Sequence, residues 1–319
     1  MLDARQLDAL VAVIEHGSFS AAAKTLSISL AAVSLRIKSL EAALGQRLLV
    51  RGKRVAATPT GQALLTHVRQ VRLLEADVLA GMQGRVAGRA QRLQRLSVAV
   101  NADSLTTWFL PGVAATCARH HILLDIVVDD QDHTEDALRS GDVTGCVTTL
   151  AQTMRGCVAE PLGLMRYRCM AAPAQVEKWR GGKSQAGGST IDATGGPTSG
   201  TVHAQRLLAS PAVIFNRKDA LQDAFLAQHF QLRDAQYPRH FVPAVEAFDM
   251  ALELGMGWGM VPELSLAARS HRPPLAEVLP GKTVDVALYW QHWASESQLA
   301  QRLTRAVKAA ASARLIQPD

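Results

Sequence analysis

Cysteine is scarce in this 319-residue chain: Cys117, Cys146, Cys157 and Cys169 are scattered, with no C-x-x-C pair. Disulfides or a cysteine-built zinc site are therefore poor organising devices, and buried free thiols are expected. No apolar run reaches the roughly 18 residues of a membrane span. The opening MLDARQLDAL lacks the basic, apolar and small-residue order of a secretory signal, so the expected location is the cytoplasm, with no membrane partner. The ten histidines show no H-x-x-x-H or H-E-x-x-H spacing, and no G-x-S-x-G elbow occurs. Gly255-Met256-Gly257-Trp258-Gly259 resembles a fragment of a dinucleotide fingerprint, but it leaves a helix and enters a strand, the reverse of the required order. No metal ligands, catalytic residues or cofactor are expected, and the enzyme class is disfavoured.

Charge is present but unevenly placed. Residues 1–92 hold 13 of the 34 Lys and Arg and 6 of the 28 Asp and Glu, a local charge of +7, while the remainder carries −1. A basic head on a neutral body is the electrostatic footprint of a polyanion partner.

The head has a matching pattern. A helix starts at the N-cap residue Ser18 and runs to Leu26, with Ala21 to Ala23 small enough for close helix approach. Ser27-Ile28-Ser29 makes a turn, and Ser29 caps a second helix. There Val33, Ile37, Leu40 and Leu44 share one face, leaving Ala31, Ser34, Leu35, Lys38 and Ser39 on the other. Small, hydroxyl and basic side chains on an exposed face suit a helix lying in the major groove. Arg47, Arg51, Lys53 and Arg54 follow, with Gly52 at a turn, as a wing whose cations meet phosphates. Ser29, Ala31, Ser34, Leu35, Arg36, Lys38, Arg51, Lys53 and Arg54 are the expected DNA contacts, Arg36 toward phosphate at the flank. An ordinary helical hairpin remains the alternative on pattern alone.

From Thr60 a long helical stretch carries Leu64, Val68, Val71, Val78 and Met82 at heptad-like spacing. Those residues either pair with a second copy, giving a homodimer or tetramer, or pack on their own domain. Glycines at 81, 84 and 88 mark a hinge. Beyond Leu93 strands alternate with helices: Leu96–Asn101, Ser104–Arg119, Ile122–Val128, Asp132–Ser140, Val143–Thr149. A second series (Leu164–Ala171, Ala212–Phe215, Lys218–Phe230, Val245–Leu254, Trp258–Val261) precedes a last strand, Thr283–Trp290, and a last helix, Glu296–Ser312. The β-α-β-α-β order predicts a parallel sheet and an α/β fold class. Expected domains are a winged helix-turn-helix at 1–59, a linker helix and hinge at 60–92, and a two-lobed effector domain at 93–319. Within it, lobe 1 spans 93–162 and 268–319 and lobe 2 spans 163–267. The stretch 181–200 is too poor in apolar residues to pack and reads as a surface loop.

The block SFSAAAKTLSISLAAVSLRIKSLEAALGQRLLVR and the following TPTGQALL resemble the LysR-type transcriptional regulators. VNADSLTTWFLPGV and AVEAFDMALELGMGWGMVP are similar to the ArgP/LysG branch, which senses basic amino acids. The resemblance covers nearly the whole chain, with 181–200 as an insertion. It implies a winged head, a dimerising linker helix and a periplasmic-binding-protein-like effector domain. It also implies duplex operator DNA, lysine or arginine, and RNA polymerase as partners, and a target such as a basic amino-acid exporter. Some relatives carry an older label as replication-control proteins, so an architectural DNA-binding role without ligand gating is the alternative. The family often has Gln where Leu30 and Leu35 stand here; Leu cannot hydrogen-bond a base edge but can touch a thymine methyl.

Open α/β lobes bind ligands at the carboxyl ends of their strands. Asn101, Asp103, Ser104, Thr106 and Thr107, around the first such strand end, suit an amino-acid carboxylate, with plain helix capping by Asp103 or Ser104 as the other reading. Asp129 and Asp130 close the second strand and are candidates for a cationic ligand group. The family arrangement adds Glu246 and Asp249, and Thr148 and Asn216 are neutral candidates at strand ends.

Overall fold

The computed structural model describes residues 2–318 apart from 51, 84–92, 129–136, 155, 182–201, 203 and 270. The expected hinge and nearly all of the expected insertion therefore lie outside the described residues, as do Arg51, Asp129 and Asp130.

The head is built on α1 (Ala4–His16), α2 (Phe19–Thr25) and α3 (Leu30–Leu44), followed by the wing strands β1 (Leu49–Val50) and β2 (Ala56–Ala57). Leu10, Val13, Ala22, Val33, Ile37 and Leu40 form its core. Ala22 and Ala23 are buried where α2 meets its neighbours, so the small residues are what bring the helices together. Leu44 departs from the predicted inward stripe: it sits in the last helical turn and is exposed.

Helix α4 (Pro59–Gln83) begins where Thr58 Oγ1 accepts from Gly61 N at 3.1 Å, with Pro59 in the first turn. Its first half packs on its own head: Leu65 and Val68 are buried with Val11, and Leu64 lies against the head core. The predicted seam is thus divided. Leu64 and Val68 are occupied within the chain, while Val71, Leu74 and Val78 face outward and are exposed.

Among the described residues the strands of the effector domain form one nine-stranded sheet, ordered β4-β3-β5-β11-β6-β9-β7-β8, with β10 (Ala276–Glu277) paired to β6. β3 (Gln94–Val100), β4 (Ile122–Val128) and β5 (Gly145–Thr148) are parallel, as are β7 (Ala212–Ile214), β8 (Arg239–Phe241) and β9 (Trp258–Pro262). β6 (Cys157–Ala171) and β11 (Thr283–Trp293) are not: each pairs antiparallel with its neighbours, so the sheet is mixed where a purely parallel one was predicted. These two long strands run through both lobes and pair with each other over almost their whole length. β6 starts seven residues earlier than predicted because Pro161 and Gly163, ordinarily strand breakers, sit where the pairing with β11 shifts register. The predicted lobe boundary at 162/163 falls inside β6.

Helix α5 (Ala102–Ser104), a π-helical turn (Leu105–Phe109) and α6 (Leu110–His120) form one irregular rod over the first lobe. It packs on the C-terminal helix Gln298–Arg314. A Cβ at Gly112 would stand 2.1 Å from the Ala310 Cβ, so glycine is what permits that approach. Trp108, Phe109, Trp290 and Leu303 fill the space beneath, and Trp290 Nε1 donates to Thr304 Oγ1 at 2.9 Å. Among the described residues no helix is long and apolar enough to cross a membrane.

Candidate functional site

Two regions gather the predicted functional residues: the outer face of α3 with the wing, and the cleft between the lobes. In the head, Ser18 Oγ accepts from Ala21 N at 3.4 Å and Ser29 Oγ accepts from Ala32 N at 3.1 Å. Both helices of the pair therefore start on a serine cap, and the Ser29 hydroxyl serves α3 before any other partner. Val33, Ile37 and Leu40 are buried, which fixes α3 in rotation and turns Ala31, Leu35 and Lys38 outward. Ser34 and Arg36 lie half-buried at the flanks. The wing is tied back by Glu41 Oε1, which accepts from Leu48 N at 2.8 Å. Lys53 and Arg54 are exposed, with the Arg54 guanidinium over Gly17, the left-handed cap of α1. A cation there meets the negative end of the α1 dipole.

The cleft has a volume of about 690 Å³ and is lined by, among others, Asn101, Asp103, Tyr167, Asn216, Asp219 and Asp285. Asn101, not Asp103 or Ser104, caps the first helix: its Oδ1 accepts from Ser104 N at 2.8 Å. Ser104 is fully buried, so it backs the site and does not face it. The Thr106 and Thr107 hydroxyls donate to the carbonyls of Ala102 and Asp103, at 3.1 and 2.6 Å, and both residues line a smaller cavity next to the cleft. Asp103 is the chemically distinctive group. Tyr167 Oη donates to its Oδ2 at 2.9 Å, yet burial, reinforced by Asp219 and Asp249, pushes its carboxyl from 3.8 up to about 6. Asp219 anchors the opposite wall: its Oδ1 accepts from Leu221 N at 3.0 Å and its Oδ2 from Phe215 N at 3.2 Å. Asn216 Oδ1 accepts from the backbone of Lys218 and Asp219 and so builds that turn. Asp285 is held by Arg166 in a bidentate pair at 2.8 and 2.7 Å.

Two predicted effector contacts, Thr148 and Glu246, are placed outside both cavities, and a third, Asp249, is engaged in ion pairs. Thr148 is buried, its Oγ1 accepting from Leu150 N, and the adjacent Thr149 lines the cleft instead. Glu246 is exposed and lines neither cavity. Asp249 lines the smaller cavity and is paired with Arg269 at 2.6 Å and Arg272 at 2.9 Å, with Glu253 completing a four-charge knot. Tyr167, Asp219 and Asp285 were not foreseen. Tyr167 stands between two arginines, Arg166 and Arg168, in a strand, Asp219 reads as a helix cap, and Asp285 enters the cleft only through the β6–β11 pairing. Among the described residues no group of His, Cys, Asp and Glu is placed to hold a metal ion.

Residues 4–62 match the model of the bacterial regulatory helix-turn-helix protein, lysR family, and residues 89–312 match the LysR substrate binding domain. The chain belongs to the LysR family. Among its relatives, the HTH-type transcriptional regulator ArgP of Pseudomonas fluorescens strain Pf0-1 is 39% identical over 306 residues, 95% of each chain. The crystal structure of ArgP from Mycobacterium tuberculosis superposes with a TM-score of 0.85 at 38% identity, covering 100% of both chains. Full-length LysG from Corynebacterium glutamicum with bound effector Arg gives a TM-score of 0.77 at 32% identity, covering 99% of this chain and 100% of that one. This LysR-family chain is accordingly a DNA-binding transcriptional regulator with ArgP and LysG homologues, the reading favoured over an ungated architectural protein.

Proposed function

We propose that the effector is a free basic amino acid, arginine or lysine, seated in the cleft between the lobes. The observation that carries this reading is the acidic wall: Asp103 beneath the Tyr167 hydroxyl, with Asp219 close enough to raise its pKa. Crowded carboxylates in a part-buried cleft gain from a cation and gain nothing from a neutral ligand. The bound Arg of the C. glutamicum homologue supports the same ligand class. In this proposal Asp103 and Asp219 take the ligand's cationic groups, and Thr106 and Thr107 with the adjacent backbone take its carboxylate.

The effector would close the lobes about β6 and β11 and shift the heads through α4, altering the access of RNA polymerase to a promoter such as that of a basic amino-acid exporter. Pairing of two copies falls to Val71, Leu74 and Val78, the exposed face of α4. Head, linker helix and effector domain at 1–59, 60–92 and 93–319 are the units of this switch, working in the cytoplasm without enzymatic activity. Titration calorimetry with arginine, lysine and citrulline tests the ligand class. Arginine or lysine should bind and citrulline should not; equal binding of citrulline would overturn the proposal.

A further inference from the structure

We propose that Leu35 reads a thymine C5-methyl group, making 5-methylpyrimidine recognition part of this regulator's operator specificity. Leu35 is 66% exposed, more than any other large apolar side chain described in the head, and Ala31 stands one turn before it on the same outward face. The helix cannot turn to hide it, because Val33, Ile37 and Leu40 hold the opposite face in the core. Ser34 and Lys38 flank the pair, and head plus linker, residues 1–92, carry a charge of +7, so the surface around this apolar spot is built for a polyanion. The first two turns of such a helix are the part that reaches base edges.

A leucine offers no donor or acceptor, and the major groove presents one apolar feature, the methyl of thymine. Burying one methyl against leucine is worth about fourfold in affinity. The assignment rests on the DNA-binding role of the head and adds which chemical group one of its residues selects.

The test uses the full chain. Duplexes are first selected from a random-sequence pool at about 0.15 M salt, where specific binding stands out from phosphate attraction. Each thymine of the selected site is then replaced singly by deoxyuridine, which removes the methyl and leaves every hydrogen-bonding group in place. At one position of each half-site the replacement should weaken binding by roughly three- to fivefold. Leu35→Ala should bind the thymine and deoxyuridine duplexes equally at that position, whereas Leu30→Ala should retain the difference. Leu35 has few contacts to lose, so an unchanged melting temperature confirms that the variant is folded. Deoxyuridine penalties that persist in Leu35→Ala, or that occur nowhere, would overturn the assignment while leaving sequence-specific binding intact. Failure to select any sequence would instead overturn the DNA-reading role on which it rests.

Discussion

The Tyr167 hydroxyl donates to Asp103 Oδ2 at 2.9 Å, joining the long strand β6 to the first helical turn after β3. This hydrogen bond lowers the Asp103 pKa, while burial and the neighbouring carboxylates raise it more, to about 6. The residue is poised to lose a proton when a cation arrives.

Effector affinity should therefore depend on pH. Below about 6 Asp103 is protonated in the empty protein and offers a cation little, so binding weakens; above it the carboxylate is ionised and binding reaches a plateau. Near pH 6, where Asp103 is half protonated, a bound cation should displace up to about half a proton, visible as a buffer-dependent enthalpy in calorimetry. An enthalpy independent of buffer would place the cation elsewhere.

Asp103→Asn separates stability from function. The folded-state pKa lies above the ordinary 3.8, so the native state loses stability as pH rises from about 4 through 6 and stays penalised above that. At pH 8 the ligand-free variant should melt no lower than the parent, while basic amino-acid affinity falls at least tenfold, about 1.4 kcal/mol or more. Thermal melts with and without arginine check both.

Tyr167→Phe removes the hydrogen bond that favours the ionised carboxyl. The pH midpoint of effector binding should move upward, and affinity at pH 6.5 should drop while most of it is recovered at pH 8, where the ligand's α-ammonium is still protonated. Parallel losses at both pH values would show that the hydroxyl does not act by favouring the ionised carboxyl.

Arg69 of α4 pairs with Asp142 of the first lobe and lies 3.8 Å from Glu15 of α1, while Gln62 Nε2 donates to the Ser140 carbonyl at 3.0 Å. Gly141 sits against Thr66 with φ +70°, where an added Cβ would come within 3.0 Å of the Thr66 Cα. Gly141→Ala should cost about 1–2 kcal/mol. Arg69→Ala should cost under about 1 kcal/mol of stability, because the pair is part-exposed. Its larger expected effect is a weaker response of DNA affinity to effector, measured by fluorescence anisotropy on labelled duplex.

Much of the head was legible in sequence because its instructions are local. Ser18 and Ser29 are caps, Val33, Ile37 and Leu40 a buried stripe, and all three appear as predicted. Helix α1 has no counterpart in the sequence-based expectations, although Asp3 and Gly17 bracket it. The cleft was legible only in part. Asn101 and Asp103 follow from the rule that ligands meet strand ends, but Tyr167 and Asp285 arrive by long-range antiparallel pairing, which leaves no local pattern. Asp249 is buried and lines the smaller cavity, yet its pairing with Arg269 and Arg272 depends on a chain return that the sequence does not announce.

One measurement tests the central claim most directly: binding of the full chain to its own upstream DNA at about 0.15 M salt with excess non-specific duplex, with and without arginine, lysine or citrulline. A specific complex whose affinity or mobility changes with arginine or lysine and not with citrulline is the predicted result. A specific complex indifferent to all three would contradict the gating of this regulator by a basic amino acid.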